Sequence, residues 1–577
     1  MEFFQDETQP RVRKVALLFL GVCFFTLACL PRLFSLDAHW SSDEAMWLRQ
    51  SAQFMSAVKN GEFSETGIAY HPGVTTMWLA GPRTFFTDPP HLDVKDLVFA
   101  RWFIGIIVWI GIGIACLLLY RLFGQWIAFT SFVCLAYSPF FLAQTRRVMT
   151  DALATVFILL LVLLFLLYCQ NRHSHRYLVF SGVAFGLALL SKSHTLILLP
   201  WILLCLFLFW EKQTGNFWTS LAEGICFLNC AALTVLGLWP VFWTPSFGIT
   251  GLGLFGLTFA VFRGMEKERC SIWIVGIAVA GLLLTYVQAI PKISSVLESI
   301  TWAVTTPHEV EHFFLGKVIN DPGWLFYPFV LTIKSTPLML PLAILGCILL
   351  WKHRKESAET STHFKTGIAF VAGILLFTIC LSATSKKFNR YLLPVFPMLE
   401  ILAAIGLVEG LKWSYTALRT RFRNDKIATY KETLTVIACI GFFCIQVFPV
   451  LARHPYYGTY YNLCWKTTDI TRIITVGDAS GLDIAAKYLN NKPEAQDLFV
   501  EVSPLAAEFM WYYFQGYSYS TGRSIGLKPN YEVVYIRDSQ VKRVPQEGTR
   551  GGQLEHMITL NSIEHVWIYR IPRKEAP

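Results

Sequence analysis

Arg146-Arg147-Val148-Met149-Thr150-Asp151, then the run from Ala152 to Gln170 (ALATVFILLLVLLFLLYCQ), then Asn171-Arg172-His173-Ser174-His175-Arg176: this stretch decides the fold of the chain. A helix needs about 20 apolar residues to cross the hydrocarbon core of a bilayer, and a single helix satisfies all its own backbone groups there. Basic residues flank the run on both sides, as they do when Lys and Arg anchor helix ends by snorkelling. Only one flank also carries an acid. A carboxylate gains little from lying beside lipid, so Asp151 marks that end as a polar site.

Working outward, runs of similar character begin near residues 15, 102, 126, 152, 177, 195, 221, 248, 271, 335, 367, 391 and 433, which predicts about thirteen transmembrane helices. The composition agrees: 54% of the 577 residues are hydrophobic and 15% are charged, where soluble domains carry about a quarter charged residues. With the N-terminus in the cytoplasm and alternation thereafter, twenty Lys and Arg fall in cytoplasmic loops against nine in the outer loops after the first. That satisfies the positive-inside rule and accounts for the net charge of +10 without invoking nucleic acid, for which no basic block interleaved with aromatics is present. Val15 to Leu30 follows Arg11, Arg13 and Lys14 and lacks a good cleavage site, so it reads as an uncleaved first span. The runs at 177 and 195 are short, and Ser191-Lys192-Ser193-His194 between them reads as a hairpin tip facing a watery cavity.

The expected organisation is a transmembrane domain over 1–452 and an extracytoplasmic domain over 453–577. Two outer segments interrupt the first, 37–101 and 291–334. In the former, Trp40, Trp47, Phe54 and Trp78 among polar residues predict amphipathic helices along the membrane surface. In the terminal part, Gly481 to Leu489 has helical spacing, while Leu498 to Val502 and Tyr531 to Ile536 read as strands, giving a small α/β domain. Thirteen of the fourteen cysteines lie at or before Cys444. With Cys464 alone in the outer domain no internal disulfide forms there, which favours a bacterial envelope and hence a multi-pass inner membrane location.

The ionisable residues gather on the outer side of this plan. Asp43 and Glu44 follow the first span; Arg146, Arg147 and Asp151 precede the fourth; Lys192 and His194 cap the hairpin; His71, Lys334, Lys386, Lys387 and Arg390 join them. Acids of this kind accept protons, and clustered Lys and Arg stabilise a departing phosphate. Together they point to group transfer from a phosphorylated donor, and at a face where soluble nucleotide sugars are absent a lipid-borne donor fits. A transporter or lipid flippase is the competing class, with the same charges lining a passage. His308-Glu309-Val310-Glu311-His312 matches the H-E-x-x-H pattern of zinc proteases, which would put both histidines on one helix face with Glu309 as base. No third ligand with recognisable spacing follows. Otherwise no metal or cofactor is required.

In order along the chain, these motifs resemble the polyprenyl-phosphate-sugar-dependent glycosyltransferases of the GT-C fold, family 39, the group of the protein O-mannosyltransferases and lipid A aminoarabinose transferases. The resemblance rests on Asp43-Glu44; Tyr70-His71-Pro72-Gly73, where Gly73 replaces the second proline of a His/Lys-Pro-Pro segment; Arg146 to Asp151; Leu190 to His194; Gly323-Trp324-Leu325-Phe326-Tyr327-Pro328 with Lys334-Ser335-Thr336-Pro337; Lys387-Phe388-Asn389-Arg390-Tyr391-Leu392-Leu393-Pro394; and His454-Pro455-Tyr456-Tyr457 with Tyr461-Asn462. It implies inverting transfer of a sugar from undecaprenyl or dolichyl phosphate to a protein or glycolipid acceptor, with Asp43 as base. It also implies that Glu44 and Asp151 orient sugar or acceptor, and that Lys387, Arg390, Lys192, Lys334 and Arg146 hold the donor phosphate. His71, His194, Tyr327 and Tyr391 are the expected substrate contacts.

Overall fold

The structure, a computed structural model, describes residues 25–41, 43–68, 72–86, 92–210, 217–266, 272–305, 311–421, 425–523 and 528–572. Its N-terminal two thirds are helical. After α1 (25–33) come α2 (Glu44–Asn60), α3 (Val74–Ala80) and α4 (Pro82–Phe86), then α5 (Val94–Phe123), α6 (Gln125–Ala136), α7 (Pro139–Thr145), α8 (Thr150–Gln170), α9 (His175–Ser191) and α10 (Leu198–Leu208). They are followed by α11 (Phe217–Leu238), α12 (Pro245–Glu266), α13 (Ile272–Thr305), α14 (Phe326–Lys334), α15 (Met339–His353), α16 (Ala358–Ala383), α17 (Val395–Arg421) and α18 (Asp425–Leu451).

This is a polytopic helical membrane protein. Five helices, α5, α8, α11, α12 and α16, contain segments long and apolar enough to cross a bilayer, and two bent pairs join them: α6 with α7 at 63° and α14 with α15 at 101°. Parts of α9, α10, α13 and α18 are shorter apolar stretches. Apart from the first expected span, which begins outside the described residues, each expected span corresponds to one helix or one bent pair. Several boundaries differ, among them those of α5 and α13. Helix α5 begins at Val94, ahead of the apolar run, because Asp93 and Asp96 form a reciprocal capping box that extends it into polar surroundings. Helix α13 runs to Thr305 with Pro291 inside it, so much of the outer segment expected over 291–334 is helix. A proline removes one N–H and bends a helix without ending it when the flanking residues keep the helical pattern.

Helix α8 lies at the centre, with most of its side chains buried. Helices α15 and α17 pack at backbone contact: a Cβ on Gly406 would lie 1.8 Å from the Leu342 carbonyl oxygen, and one on Gly346 would lie 2.4 Å from that of Leu402. Small residues permit such close approach where lipid supplies no hydrophobic drive between helices. In the segment expected to lie along the membrane surface, Trp40, Trp47 and Phe54 are buried in the protein core, and it folds back onto the bundle.

A two-stranded hairpin, β1 (His312–Phe314) and β2 (Lys317–Ile319), follows α13, and Phe314 bridges Ile474 of the terminal part. Residues beyond 453 build α19 (Thr467–Ile473), α20 (Leu482–Asn490), α21 (Ala507–Trp511) and α22 (Ile536–Gln540) around a mixed five-stranded sheet. Its strands are β3 (Phe499–Val502), β4 (Tyr517–Ser520), β5 (Tyr531–Tyr535), β6 (Gln553–Leu560) and β7 (Ile563–Arg570), in the order β4-β3-β5-β7-β6. Strand β3 is parallel to β4 and β5, whereas β7 is antiparallel to β5 and β6. The expected helix and both expected strands are α20, β3 and β5. This unit docks on the segment ahead of α2, where Trp40 stacks on Tyr512 with ring centroids 4.0 Å apart and the Tyr513 hydroxyl donates to the Asp37 carbonyl at 2.8 Å.

Gly73 explains its own departure from the proline pattern. It adopts a φ of +56°, its N–H donates to the Ser191 carbonyl at 3.3 Å, and a Cβ would fall 2.2 Å from the Trp47 ring. A proline has neither that φ nor that N–H. Gly73→Ala is expected to lower the thermal unfolding midpoint clearly, since overpacking costs about 1–3 kcal/mol and the left-handed backbone adds about 1–2 kcal/mol. An unchanged midpoint would show that Trp47 yields freely.

Candidate active site

Asp43 stands at the start of α2 and makes no capping bond with its own helix. Its carboxylate pairs instead with the Arg390 guanidinium. Arg390 lies in the short 3-10 turn Asn389–Leu392 that Phe388 and Pro394 bracket between α16 and α17, with its guanidinium 4.4 Å from the Phe388 ring centroid and 5.7 Å from that of Tyr391. The same guanidinium reaches Asp151, Nε to Oδ2 at 3.7 Å. Asp151 occupies the first turn of α8, where the helix dipole favours an anion, and Lys192 Nζ donates to its Oδ1 at 2.6 Å. Lys192 follows the end of α9 and sits 4.1 Å from the Tyr391 ring centroid.

Asp43, Arg390, Asp151, Lys192 and Tyr391, spread over 349 positions of sequence, thus form one continuous constellation at the ends of four elements. Burial works against the Arg390 cation, but Asp43, then Tyr391 and Asp151, push its pKa up, so it stays charged. Solvent access divides the acids: the side chain of Asp43 is 30% exposed, that of Asp151 5% and that of Glu44 0%. Tyr327, fully buried on α14, is acted on electrostatically by Tyr391, Asp151 and Arg390.

Glu44 occupies a different place from its neighbour. Both its oxygens are consumed: Oε1 accepts from Arg101 Nε and the Val148 N–H, both at 2.8 Å, and Oε2 accepts from Arg101 and from the Ser41 N–H and hydroxyl. Burial alone would raise this carboxyl; Arg101 and the Val148 N–H override it and hold it below the usual glutamate range. Arg101 also donates to the carbonyls of Leu36, Ala38 and His39 at 2.6–2.8 Å. One guanidinium therefore fixes the whole approach to Asp43.

Other expected site residues have separate partners. Lys387 Nζ pairs with Asp321 Oδ1 at 2.6 Å, with its side chain 1% exposed. Lys334 Nζ donates to the Gly458 and Tyr460 carbonyls at 3.0 and 2.9 Å and lies 3.7 Å from the Tyr461 ring centroid, which fastens the link to the terminal α/β unit. Arg146 donates to the Phe34 and Ser35 carbonyls at 2.7 and 2.8 Å. His194 packs edge-on to Phe377. His71, His308 and Glu309 lie outside the described residues. His312 is in strand β1, between the rings of Phe326 and Phe388, so the helix that would align it with His308 does not reach it. Among the described residues no group of three or more His, Cys, Asp or Glu is placed to hold a metal ion.

Three important residues escaped the sequence reading: Arg101, Asp321 and Asp478. Arg101 had a signal, since it shares the buried face of α5 with Leu97, Ile104 and Val108 at helical spacing. Asp478 of the terminal part, which pairs with Arg147, had none, because only the folded chain brings them together.

The fold and the constellation define a class: helical membrane proteins with an acid–base cluster at helix ends beside a small terminal α/β unit. Residues 94–243 match the family model described as dolichyl-phosphate-mannose-protein mannosyltransferase. The match covers α5 to α11, includes the motifs Arg146 to Asp151 and Leu190 to His194, and agrees with the resemblance drawn from the sequence. Solved structures similar to the chain include the Archaeoglobus fulgidus oligosaccharyltransferase AglB in complex with an inhibitory peptide and a dolichol-phosphate, at 13% identity and a TM-score of 0.48, covering 90% of this chain and 70% of that one. Another is ArnT from Cupriavidus metallidurans bound to undecaprenyl phosphate, at 13% identity and a TM-score of 0.42, covering 96% and 98%. The apo Archaeoglobus fulgidus oligosaccharyltransferase matches at 12% identity and a TM-score of 0.45, and the chain spans 64% of its length. No curated protein sequence matches the chain.

Proposed function

We propose that the protein moves a sugar from a polyprenyl-phosphate donor to a hydroxyl or phosphate acceptor on a protein or lipid, at the outer face of the cytoplasmic membrane, with inversion at the sugar carbon. The observation that carries this reading is that Arg390 touches both Asp43 and Asp151 while only Asp43 opens appreciably to solvent. Asp43 takes the proton of the acceptor O–H. The acceptor oxygen attacks the sugar carbon, the bond from that carbon to the phosphate oxygen breaks, and the lipid phosphate leaves with the electron pair.

Arg390 and Lys192 are the cations for that leaving group. A guanidinium has five N–H donors in a fixed plane, enough to receive a phosphate oxygen while still facing Asp151. In the resting arrangement Asp43 occupies Arg390. An arriving donor phosphate competes for it and frees the carboxylate for the acceptor proton, which links donor binding to readiness of the base. Asp151, held by Lys192, keeps Arg390 in place; Glu44, with no oxygen to spare, fixes the start of α2. Lys387 and Lys334 support the frame through Asp321 and the Gly458–Tyr460 carbonyls. The terminal domain and the first outer segment lie beside the cluster and contribute the acceptor side.

The test is transfer of radiolabelled sugar from a panel of undecaprenyl-phosphate and dolichyl-phosphate sugars in membranes containing the protein. Label is expected to pass from at least one donor to protein or glycolipid, and free lipid phosphate to appear with it. Folded protein that neither transfers nor hydrolyses any donor of the panel would overturn the reading and favour a transporter.

A further inference from the structure

The terminal α/β unit brings a charge of its own toward the reaction site. Helix α22 is pinned to the segment 471–477: Gln540 Oε1 accepts from the Val476 N–H at 2.7 Å, and its Nε2 donates to the Thr471 and Ile474 carbonyls at 2.8 and 3.2 Å. Just ahead of α22, the Tyr535 hydroxyl lies so near Gly477 that a Cβ there would stand 2.5 Å from it. The next residue in that turn, Asp478, pairs with Arg147 of the helical part. One ion pair therefore fixes the start of α22 relative to the helix ends.

Arg537, the second residue of α22, is half-buried. Its Nε is buried without a hydrogen-bond partner, and among the described residues no hydrogen bond or ion pair holds its guanidinium. Burial works against its charge; Asp478, Tyr535 and Asp538 favour it, and Arg390 opposes it. Asp538 is fully buried in the terminal unit, where its Oδ1 accepts from the Leu505 N–H at 3.1 Å. Asp478 acts on Arg390 as well. This one carboxylate thus stands within electrostatic reach of both guanidiniums.

Pairing leaves Arg537 over. Asp43 has Arg390, Asp151 has Lys192 and Asp478 has Arg147, while Lys334 rests on the Gly458 and Tyr460 carbonyls. A half-buried cation that faces a second cation and has no acceptor is unfavourable in the resting protein. An oxyanion shared by the two reverses the sign, because a guanidinium presents five N–H donors in one plane and grips phosphate through two of them. The benefit grows during the reaction, when a phosphodiester with one negative charge becomes a monoester carrying about −1.5 to −2.

We propose that Arg537 is a substrate-binding residue that holds a phosphate oxyanion together with Arg390, so that the terminal unit completes a phosphate site begun by the membrane helices. The identity of that phosphate rests on the transfer reading, under which it belongs to the donor or to a phosphorylated acceptor.

The test is equilibrium binding to the purified full chain in detergent, with undecaprenyl phosphate, bisphosphorylated lipid A and, as a phosphate-free control, undecaprenol. Arg537→Gln is expected to weaken a phosphate-bearing probe by roughly 10-fold or more, the worth of a hydrogen bond to a charged group, and to leave undecaprenol unchanged. A loss confined to undecaprenyl phosphate assigns the donor's phosphate, a loss confined to lipid A assigns the acceptor's, and a loss of both assigns a site that serves either. Arg537→Lys keeps the charge without the planar fork and is expected to show the same selectivity at smaller size; it decides alone if the glutamine variant does not fold. Unchanged affinity for both phosphate probes, an equal loss for undecaprenol, or a wild type that binds neither phosphate probe would overturn the proposal. None of these readouts needs turnover, so absent sugar transfer beside an Arg537-dependent phosphate affinity would sink the transferase reading and leave the phosphate site standing.

Discussion

Asp43→Asn is expected to abolish sugar transfer, with a loss of about 10²–10⁴-fold or more in kcat, the usual contribution of a general base, while the protein folds and still binds its donor lipid. The expectation of intact folding comes from the structure. Asp43 caps no helix N–H with its side chain, so the substitution leaves α2 without a lost bond. Arg390 retains Asp151 at 3.7 Å and is not stranded as an unpaired buried cation, the situation that makes the loss of one partner so destabilising. Asparagine keeps the shape of the side chain and can still face the guanidinium through its carbonyl oxygen. Donor affinity is expected to hold or rise, because the phosphate no longer competes with a carboxylate for Arg390. Release of lipid phosphate in single turnover separates chemistry from binding. Near-normal turnover in folded Asp43→Asn would remove Asp43 from the mechanism, and lost donor binding would assign it a structural task instead.

Much of this architecture could be read from the sequence because membranes impose so simple a rule. A run such as Ala152 to Gln170 has one stable form in lipid, so the helices follow from apolar length alone. Where polar capping or a proline intervenes, at Asp93 and at Pro291, the apolar run no longer marks the helix ends, and there the boundaries differed. The site was legible for a related reason. Charge next to lipid is costly, so Asp43, Asp151, Lys192 and Arg390 stood out by position, and they meet. Partner choice was not legible. Whether a lysine faces substrate or an internal carboxylate depends on contacts between distant segments: Lys387 with Asp321 and Arg147 with Asp478 arise only when those segments fold over the bundle. Glu44 shows the limit most clearly. It is adjacent to Asp43 in sequence, yet one step along a helix turns a side chain by about 100°, and that step takes Glu44 from the open side into the grip of Arg101.

Replacing Arg390 carries the second large effect, and it falls on stability and catalysis together. Arg390→Met leaves Asp43 and Asp151 facing each other with Lys192 on Asp151 alone, and breaking a buried ion pair in this way costs about 3–5 kcal/mol; Asp43 is partly exposed, so the lower figure applies. Transfer is expected to fall by a further 10²–10³-fold, roughly what losing one preorganised charge opposite a developing anion costs. Arg390→Lys keeps the charge without the planar fork, so it cannot face Asp43, Asp151 and a phosphate together; it is expected to restore most of the stability and to show a raised KM for donor with a smaller loss in kcat. Combining Arg390→Met with Asp43→Asn distinguishes the two roles. If the arginine stabilises the fold by neutralising Asp43, the double variant should recover part of the lost midpoint, a coupling of about 0.5–3 kcal/mol for residues in contact, and remain inactive. Equal stability losses from Arg390→Met in both backgrounds would mean that Arg390 answers to Asp151 alone, and the competition between Asp43 and the donor phosphate would have no structural basis.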